Sequence, residues 1–174
     1  MASIDLRSLS MDELTEQLVA RGFPAFRAKQ IRQWLDRGVT DFEQMTNIPK
    51  DLRAQLSKVY TVPTVRILRK LVSEIDGTVK YLFGLDDGET VESVLMQYKH
   101  GWSQCLSTQV GCRMGCTFCA TGMGGFTRQL NPSEMLAQIE AAQRDLNIRI
   151  SNIVLMGMGE PLDNYANVVK FIRL

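Results

Sequence analysis

Along residues 10–60, apolar positions recur every three or four residues, the period of helices with one buried face. Ser10 and Glu13 form a capping-box pair ahead of Leu14, Leu18 and Val19, and Gly22 ends that segment. A second helix is predicted from about Pro24 to Arg37, with Phe26, Ile31, Trp34 and Leu35 as its apolar face and Gly38 as its stop. Two shorter helices are expected at Phe42–Met45 and, after Pro49, at Asp51–Tyr60. From Pro63 the period falls to two. Strands are predicted at Val65–Ser73, Thr78–Leu85 and Glu89–Met96, with hairpin signals at Asp76-Gly77 and Asp87-Gly88.

The pattern changes again at Trp102. A strand through Leu106 runs into a cysteine-rich loop, and Asn131-Pro-Ser-Glu134 supplies an N-cap, an N1 proline and a capping-box partner for a helix to about Asp145. Ser151–Met156 reads as a buried strand broken by Gly157-Met-Gly159-Glu160-Pro161, and a last helix begins near Asn164. This βαβα order with short connections predicts an α/β fold with parallel strands. The expected division is a helical module over 1–62, a β-meander connector over 63–100 and an α/β domain over 101–174. The final helix is still running at Leu174, and two βα units cannot close a barrel. The sequence therefore reads as a truncated barrel lacking about half of its domain; the alternative is a minimal protein that takes its missing strands from a partner.

Charge divides unevenly along the 174 residues, whose net charge is only +1. Residues 21–70 hold Arg21, Arg27, Lys29, Arg32, Arg37, Lys50, Arg53, Lys58, Arg66, Arg69 and Lys70 against Asp36, Asp41, Glu43 and Asp51. Such a basic block in a near-neutral chain suggests a footprint for a polyanion such as RNA, and equally fits solvated helix faces. No apolar run approaches the roughly 20 residues of a membrane span, and the polar start has no signal-peptide core. A cytoplasmic protein is expected. The four cysteines, clustered between 105 and 119, make a poor disulfide framework.

Those thiols carry the chemistry. Cys112, Cys116 and Cys119 lie within eight residues, Phe118 precedes the last of them, and no cysteine follows. A closed zinc site wants four protein ligands, and an ordinary four-iron electron-transfer cluster wants four thiolates. Three thiolates on one loop instead hold three irons of a cubane and leave the fourth open to a ligand. The competing readings are zinc, with Cys105 or His100 as a fourth ligand, in a non-enzymatic RNA-binding module, or buried inert thiols. Downstream, a strand that ends in a glycine loop sets its edge where α/β folds bind ligands. Gly159 permits close approach there, and Glu160 offers a carboxylate to an ammonium.

The spacing C-x3-C-x2-C resembles the cluster loop of radical S-adenosylmethionine enzymes. With Val91-Glu92-Ser-Val-Leu, Cys105-Leu-Ser-Thr-Gln-Val-Gly-Cys112, Cys119-Ala-Thr-Gly and Met156-Gly-Met-Gly-Glu-Pro-Leu162 in view, the whole chain resembles the dual-specificity 23S ribosomal RNA and transfer RNA adenine-C2 methyltransferases of bacteria. The sister enzymes that methylate C8 share most of these segments. The resemblance implies a [4Fe-4S] cluster on Cys112, Cys116 and Cys119, with S-adenosylmethionine chelated at the open iron and contacted by Gly159 and Glu160. It also implies an electron donor such as flavodoxin or ferredoxin, and a monomer. In the family one cofactor molecule methylates a cysteine near the C-terminus. A second yields a 5'-deoxyadenosyl radical, which takes a hydrogen from that methyl group, and the carbon radical adds to the base. By motif, Glu92 is the expected proton acceptor. Cys105 would release the adduct through a transient disulfide with the methyl-carrying cysteine. This chain ends before that cysteine, so it is expected not to turn over by itself.

Overall fold

The structure, a computed structural model, describes residues 4–174. They form two compact units that part at Pro63 and Thr64.

In the first unit, three helices, α1 (Met11–Ala20), α2 (Phe26–Asp36) and α3 (Lys50–Val59), enclose a core that includes Leu14, Leu18, Ile31, Leu35 and Leu56. The two-residue strands β1 (Ile4–Asp5) and β2 (Tyr60–Thr61) pair in parallel and tie its ends together. The capping box forms as the sequence predicts: Glu13 N–H donates to Ser10 Oγ at 3.2 Å, and Ser10 N–H donates to Glu13 Oε2 at 2.7 Å. Phe42–Gln44 is one 3-10 turn. Phe26, expected on the buried face of α2, is 56% exposed. Ala28, Ile31 and Leu35 share that face at helical spacing, whereas five residues before Ile31 is well over a quarter-turn away from it. Phe26 instead carries the Arg27 guanidinium 4.7 Å over its ring.

The basic block is partly spent inside this unit. Arg32 donates to the Leu9 carbonyl, and burial holds its pKa below the usual guanidinium value. Arg53 is buried, donates to the Glu43 carbonyl and lies 3.3 Å from that residue's carboxylate.

The second unit is built on a five-stranded sheet of order β3-β4-β5-β6-β9: β3 (Arg66–Val72), β4 (Val79–Gly84), β5 (Thr90–Tyr98), β6 (Gly101–Cys105) and β9 (Ile150–Val154). The first four run as an antiparallel meander, and β9 joins β6 in parallel. The meander of 63–100 thus shares one sheet with the strand that feeds the cysteine loop. Helices α4 (Pro132–Leu146) and α5 (Tyr165–Arg173) contribute to the same core, with Tyr81, Phe83, Leu95, Leu106, Leu130 and Met135 at its centre. Polar links fix α4 to the sheet: Tyr81 donates to Asp145 at 2.8 Å, Lys70 Nζ lies 2.6 Å from the same carboxylate, and Gln104 Nε2 donates to the Gln138 carbonyl at 3.1 Å. Among the described residues, no helix is long and apolar enough to cross a membrane.

Between β6 and α4 lies a small ribbon that periodicity does not announce, β7 (Gln109–Gly111) against β8 (Phe126–Gln129). Arg128 on β8 grips Glu134 with both Nη atoms, at 2.9 and 2.8 Å, and reaches Asp87 of the β4–β5 turn at 2.7 Å. Glu134 is 6% exposed and also completes the α4 capping box, so removing Arg128 strands a buried carboxylate. Arg128→Ala is expected to destabilise the fold by about 2–3 kcal/mol, the lower end for a buried pair because Arg128 itself is partly exposed. Chemical denaturation measures this. Arg128→Lys is expected to recover only part, since an ammonium cannot fork across both oxygens.

Candidate cofactor and metal site

The glycine loop is sewn to the end of β6 by backbone bonds. Leu106 N–H donates to Val154 O at 2.9 Å, Gly157 N–H to Leu106 O at 3.0 Å, and Thr108 N–H to Met158 O at 2.8 Å. Ser107 Oγ accepts from Met158 N–H at 2.9 Å and donates to Glu92 O at 2.5 Å, so β5 joins the same seam. Two glycines are required here. A Cβ on Gly157 would stand 2.6 Å from the Leu106 carbonyl, and Gly159, at φ +95°, would bring one 2.5 Å from Gln109 Cβ.

Glu160, partly buried, is held at its backbone, where its N–H donates to Gln109 Oε1 at 2.8 Å. Its carboxylate closes a local turn by accepting from Leu162 N–H at 3.0 Å. Glu92 and Cys105, thirteen residues apart in sequence, become neighbours. Val91, Ser93 and Leu95 are buried on one face of β5, which turns Glu92 and Val94 to the other, and Val94 pairs with Cys105. That register makes Glu92 and Cys105 diagonal neighbours, about 7–8 Å apart. The Glu92 carboxylate pairs with Lys80 Nζ at 2.8 Å in a half-exposed contact. Burial raises the Cys105 pKa, and a hydrogen bond from the Met156 backbone opposes that only in part.

Cys112 leaves β7 with its N–H donating to Gly125 O at 2.9 Å. Gly111 just before it, at φ +73°, passes so close to the Gly125 carbonyl that a Cβ would stand 1.9 Å from it. Cys116 and Cys119 line a concavity of about 380 Å³ together with Gly115, Phe118 and Met123. Cys116 is exposed, Cys112 and Cys119 partly so, and no disulfide engages any of the four cysteines. Hydrogen bonds from the Thr121 side chain and backbone draw the Cys119 pKa below its ordinary value. Among the described residues, no three His, Cys, Asp or Glu side chains converge as the ligands of one ion. Three soft thiolates on one loop suit a group of several irons, each taking one sulfur, whereas a closed zinc site needs four protein ligands. His100 stacks on Tyr98 in the β5–β6 turn, one whole strand away from the loop, which removes it as a fourth ligand.

Sequence reasoning missed the polar residues that hold these loops. Gln109 is fully buried, and Asn164, 4% exposed, donates to the carbonyls of Thr108 and Leu130 at 2.8 and 2.9 Å. Gln138 accepts from Ser107 N–H and donates to Ser107 O, at 3.2 and 3.1 Å. An amide in a loop carries no periodic signal; only its position beside the glycines hints at a backbone staple.

A sheet whose strand edge bears a three-thiol loop and a glycine–glutamate turn defines a class of cofactor-binding α/β domain, and comparison with known proteins names it. The radical SAM superfamily profile matches residues 106–174, and that of the ribosomal RNA large subunit methyltransferase N-terminal domain matches residues 4–62. Proteins named "probable dual-specificity RNA methyltransferase RlmN" are 55% identical in Lachnoclostridium phytofermentans, over 98% of this chain and 48% of theirs, and 52% identical in Alkaliphilus metalliredigens, over 100% and 49%. A radical SAM methyltransferase structure from Sphaerobacter thermophilus superposes with a TM-score of 0.86 at 42% identity, covering 98% of this chain and 51% of that one. Along essentially its whole length the chain is thus similar to the RlmN and radical SAM families, and it spans about half the length of the curated relatives it matches.

Proposed function

We propose that this chain supplies the RNA-docking module and the cofactor-holding part of a radical S-adenosylmethionine methyltransferase acting on C2 of an adenine in 23S ribosomal RNA and in transfer RNA. One observation carries the reading: the three-thiol loop and the Glu160 turn are bonded into the same strand edge that bears Glu92 and Cys105. Cys112, Cys116 and Cys119 would hold a [4Fe-4S] cluster, whose open iron supplies the reductive cleavage of the bound cofactor. Glu160 would orient that cofactor by its ammonium, with Gly159 allowing the backbone close to it. Glu92 would accept a proton from the base. Lys80 Nζ, 2.8 Å from that carboxylate, would hold it in place on the strand. Cys105, whose pKa burial raises, would release the adduct by forming a transient disulfide with the methyl-carrying cysteine.

The reading includes a cytoplasmic monomer served by a flavodoxin or ferredoxin, because exposed cluster thiols require a reducing compartment. Turnover is assayed by nucleoside mass spectrometry of the RNA product. 2-Methyladenine supports the reading; 8-methyladenine moves the protein to the sister group; an unmodified base removes the methyltransferase reading.

RNA docking by the first unit has its own check. Arg32 and Arg53 serve the fold, so charge reversal belongs on exposed Lys29 and Lys50. If both reach phosphates, Lys29→Glu with Lys50→Glu is expected to lower the slope of log affinity against log salt by about 1.4–1.8. A slope unchanged by the reversals leaves these lysines as solvated surface.

A further inference from the structure

One oxygen of Asp163, three residues past Glu160, is approached from three segments. Gln109 Nε2 donates to Oδ2 at 2.7 Å from β7, Gln129 Nε2 at 3.3 Å from β8, and Arg113 Nε lies 3.0 Å away from the cysteine loop. Gln129 also donates to the Asp163 carbonyl at 3.0 Å. The other end of the Gln109 amide, Oε1, accepts from Glu160 N–H at 2.8 Å. Arg113 directly follows Cys112, and its guanidinium lies 3.9 Å over the Phe126 ring, which fixes the direction from which it reaches the carboxylate. A continuous path of bonds thus runs from Cys112 through Arg113, Asp163 and Gln109 to the backbone of Glu160.

We infer that Asp163 is a positioning residue that couples the order of the cysteine loop to the order of the Glu160 turn, with Arg113 as its partner on the loop side. This deepens the function proposed above and rests on it. The physical argument is one of anchoring. Between Cys112 and Gly125 the loop holds one short element, the 3-10 helix Ala120–Gly124, and Cys116 and Phe118 are exposed. Outside that helix the loop takes its position from its ends and from what its side chains grip. Arg113 is the residue that grips the cofactor turn. The Asp163 side chain is 26% exposed and that of Arg113 50%, so solvent partly screens the pair, while the Gln109 amide that shares the oxygen is fully buried. Asparagine in its place would keep the shape and, with its amide oxygen at the Oδ2 position, still accept from Gln109 and Gln129, but lose the charge that holds Arg113.

The test compares Asp163→Asn, Arg113→Gln and the double variant with the parent protein. On cluster-loaded protein, S-adenosylmethionine affinity measured by equilibrium dialysis is expected to fall about tenfold in Asp163→Asn, as for the loss of one partly exposed charged contact. Iron content is expected to stay within about twofold, because all three thiols remain. The double variant is expected to be no worse than the weaker single one, the signature of two residues acting through one contact. Without any cluster, hydrogen exchange of the amides of 112–125 is expected to speed up several-fold in both single variants. Unchanged affinity and unchanged exchange, at a parental melting temperature, would overturn the inference. A parent protein that binds neither iron nor the cofactor refutes the proposed function instead, while the exchange comparison still decides whether Arg113 and Asp163 hold the loop. Should Asp163→Asn fold poorly, Arg113→Gln carries the same comparison from the exposed end of the pair.

Discussion

Alanine at Cys112, Cys116 or Cys119 is expected to strip the protein of bound iron and sulfide, whereas alanine at Cys105 leaves both in place. The division follows from where the thiols stand. The first three belong to one loop, two of them lining its concavity, while Cys105 ends a β-strand with its pKa raised by burial. A cubane held by three thiolates has no spare ligand, so losing one leaves two irons exposed. Iron per chain after anaerobic reconstitution is expected to drop from about four by roughly an order of magnitude in each of the three variants. Equal loss in Cys105→Ala would put Cys105 among the ligands and remove the proposal that it is the resolving thiol.

The second large effect is expected at Glu160. Pairing its carboxylate with the cofactor's ammonium is worth about 1.5–3 kcal/mol, so Glu160→Ala should weaken S-adenosylmethionine binding roughly ten- to a hundredfold. The structure adds a complication and its control. The same carboxylate accepts from Leu162 N–H, so alanine also loosens the turn. Glu160→Gln keeps an acceptor for that N–H and removes only the charge. If charge recognition dominates, glutamine binds nearly as poorly as alanine; if turn geometry dominates, glutamine binds like the parent. Parental affinity in a cluster-loaded Glu160→Ala protein would place the ammonium elsewhere.

Much of this arrangement is legible in the sequence. The capping boxes at Ser10 and Asn131, the three meander strands and the strand that meets the glycine loop each declare themselves through local chemistry, although that last strand, expected to be buried, is largely exposed, with Ile153 42% exposed. Tertiary bonding was not legible. Nothing in the period of β5 shows that Glu92 will stand beside Cys105, because that depends on the register between β5 and β6. The β7–β8 ribbon escaped notice since three- and four-residue strands are too short to alternate visibly. Arg32 looked like an RNA contact by its charge, yet a guanidinium is also the side chain best suited to reach a carbonyl through a half-buried path. The meander looked like a connector because hairpins are local. Its place in the sheet is set by β9 joining β6 some fifty residues later.

The central claim, that the cysteine loop is a three-thiolate cluster site next to a cofactor turn, is tested most directly by metal and spectral analysis of the anaerobically reconstituted protein before and after S-adenosylmethionine is added. The account predicts a brown protein with about four irons and as many sulfides per chain. Its reduced-cluster electron paramagnetic resonance signal should change when the cofactor binds, and should no longer change in Glu160→Ala at cofactor concentrations that saturate the parent. A colourless protein holding one zinc on the same cysteines would contradict it.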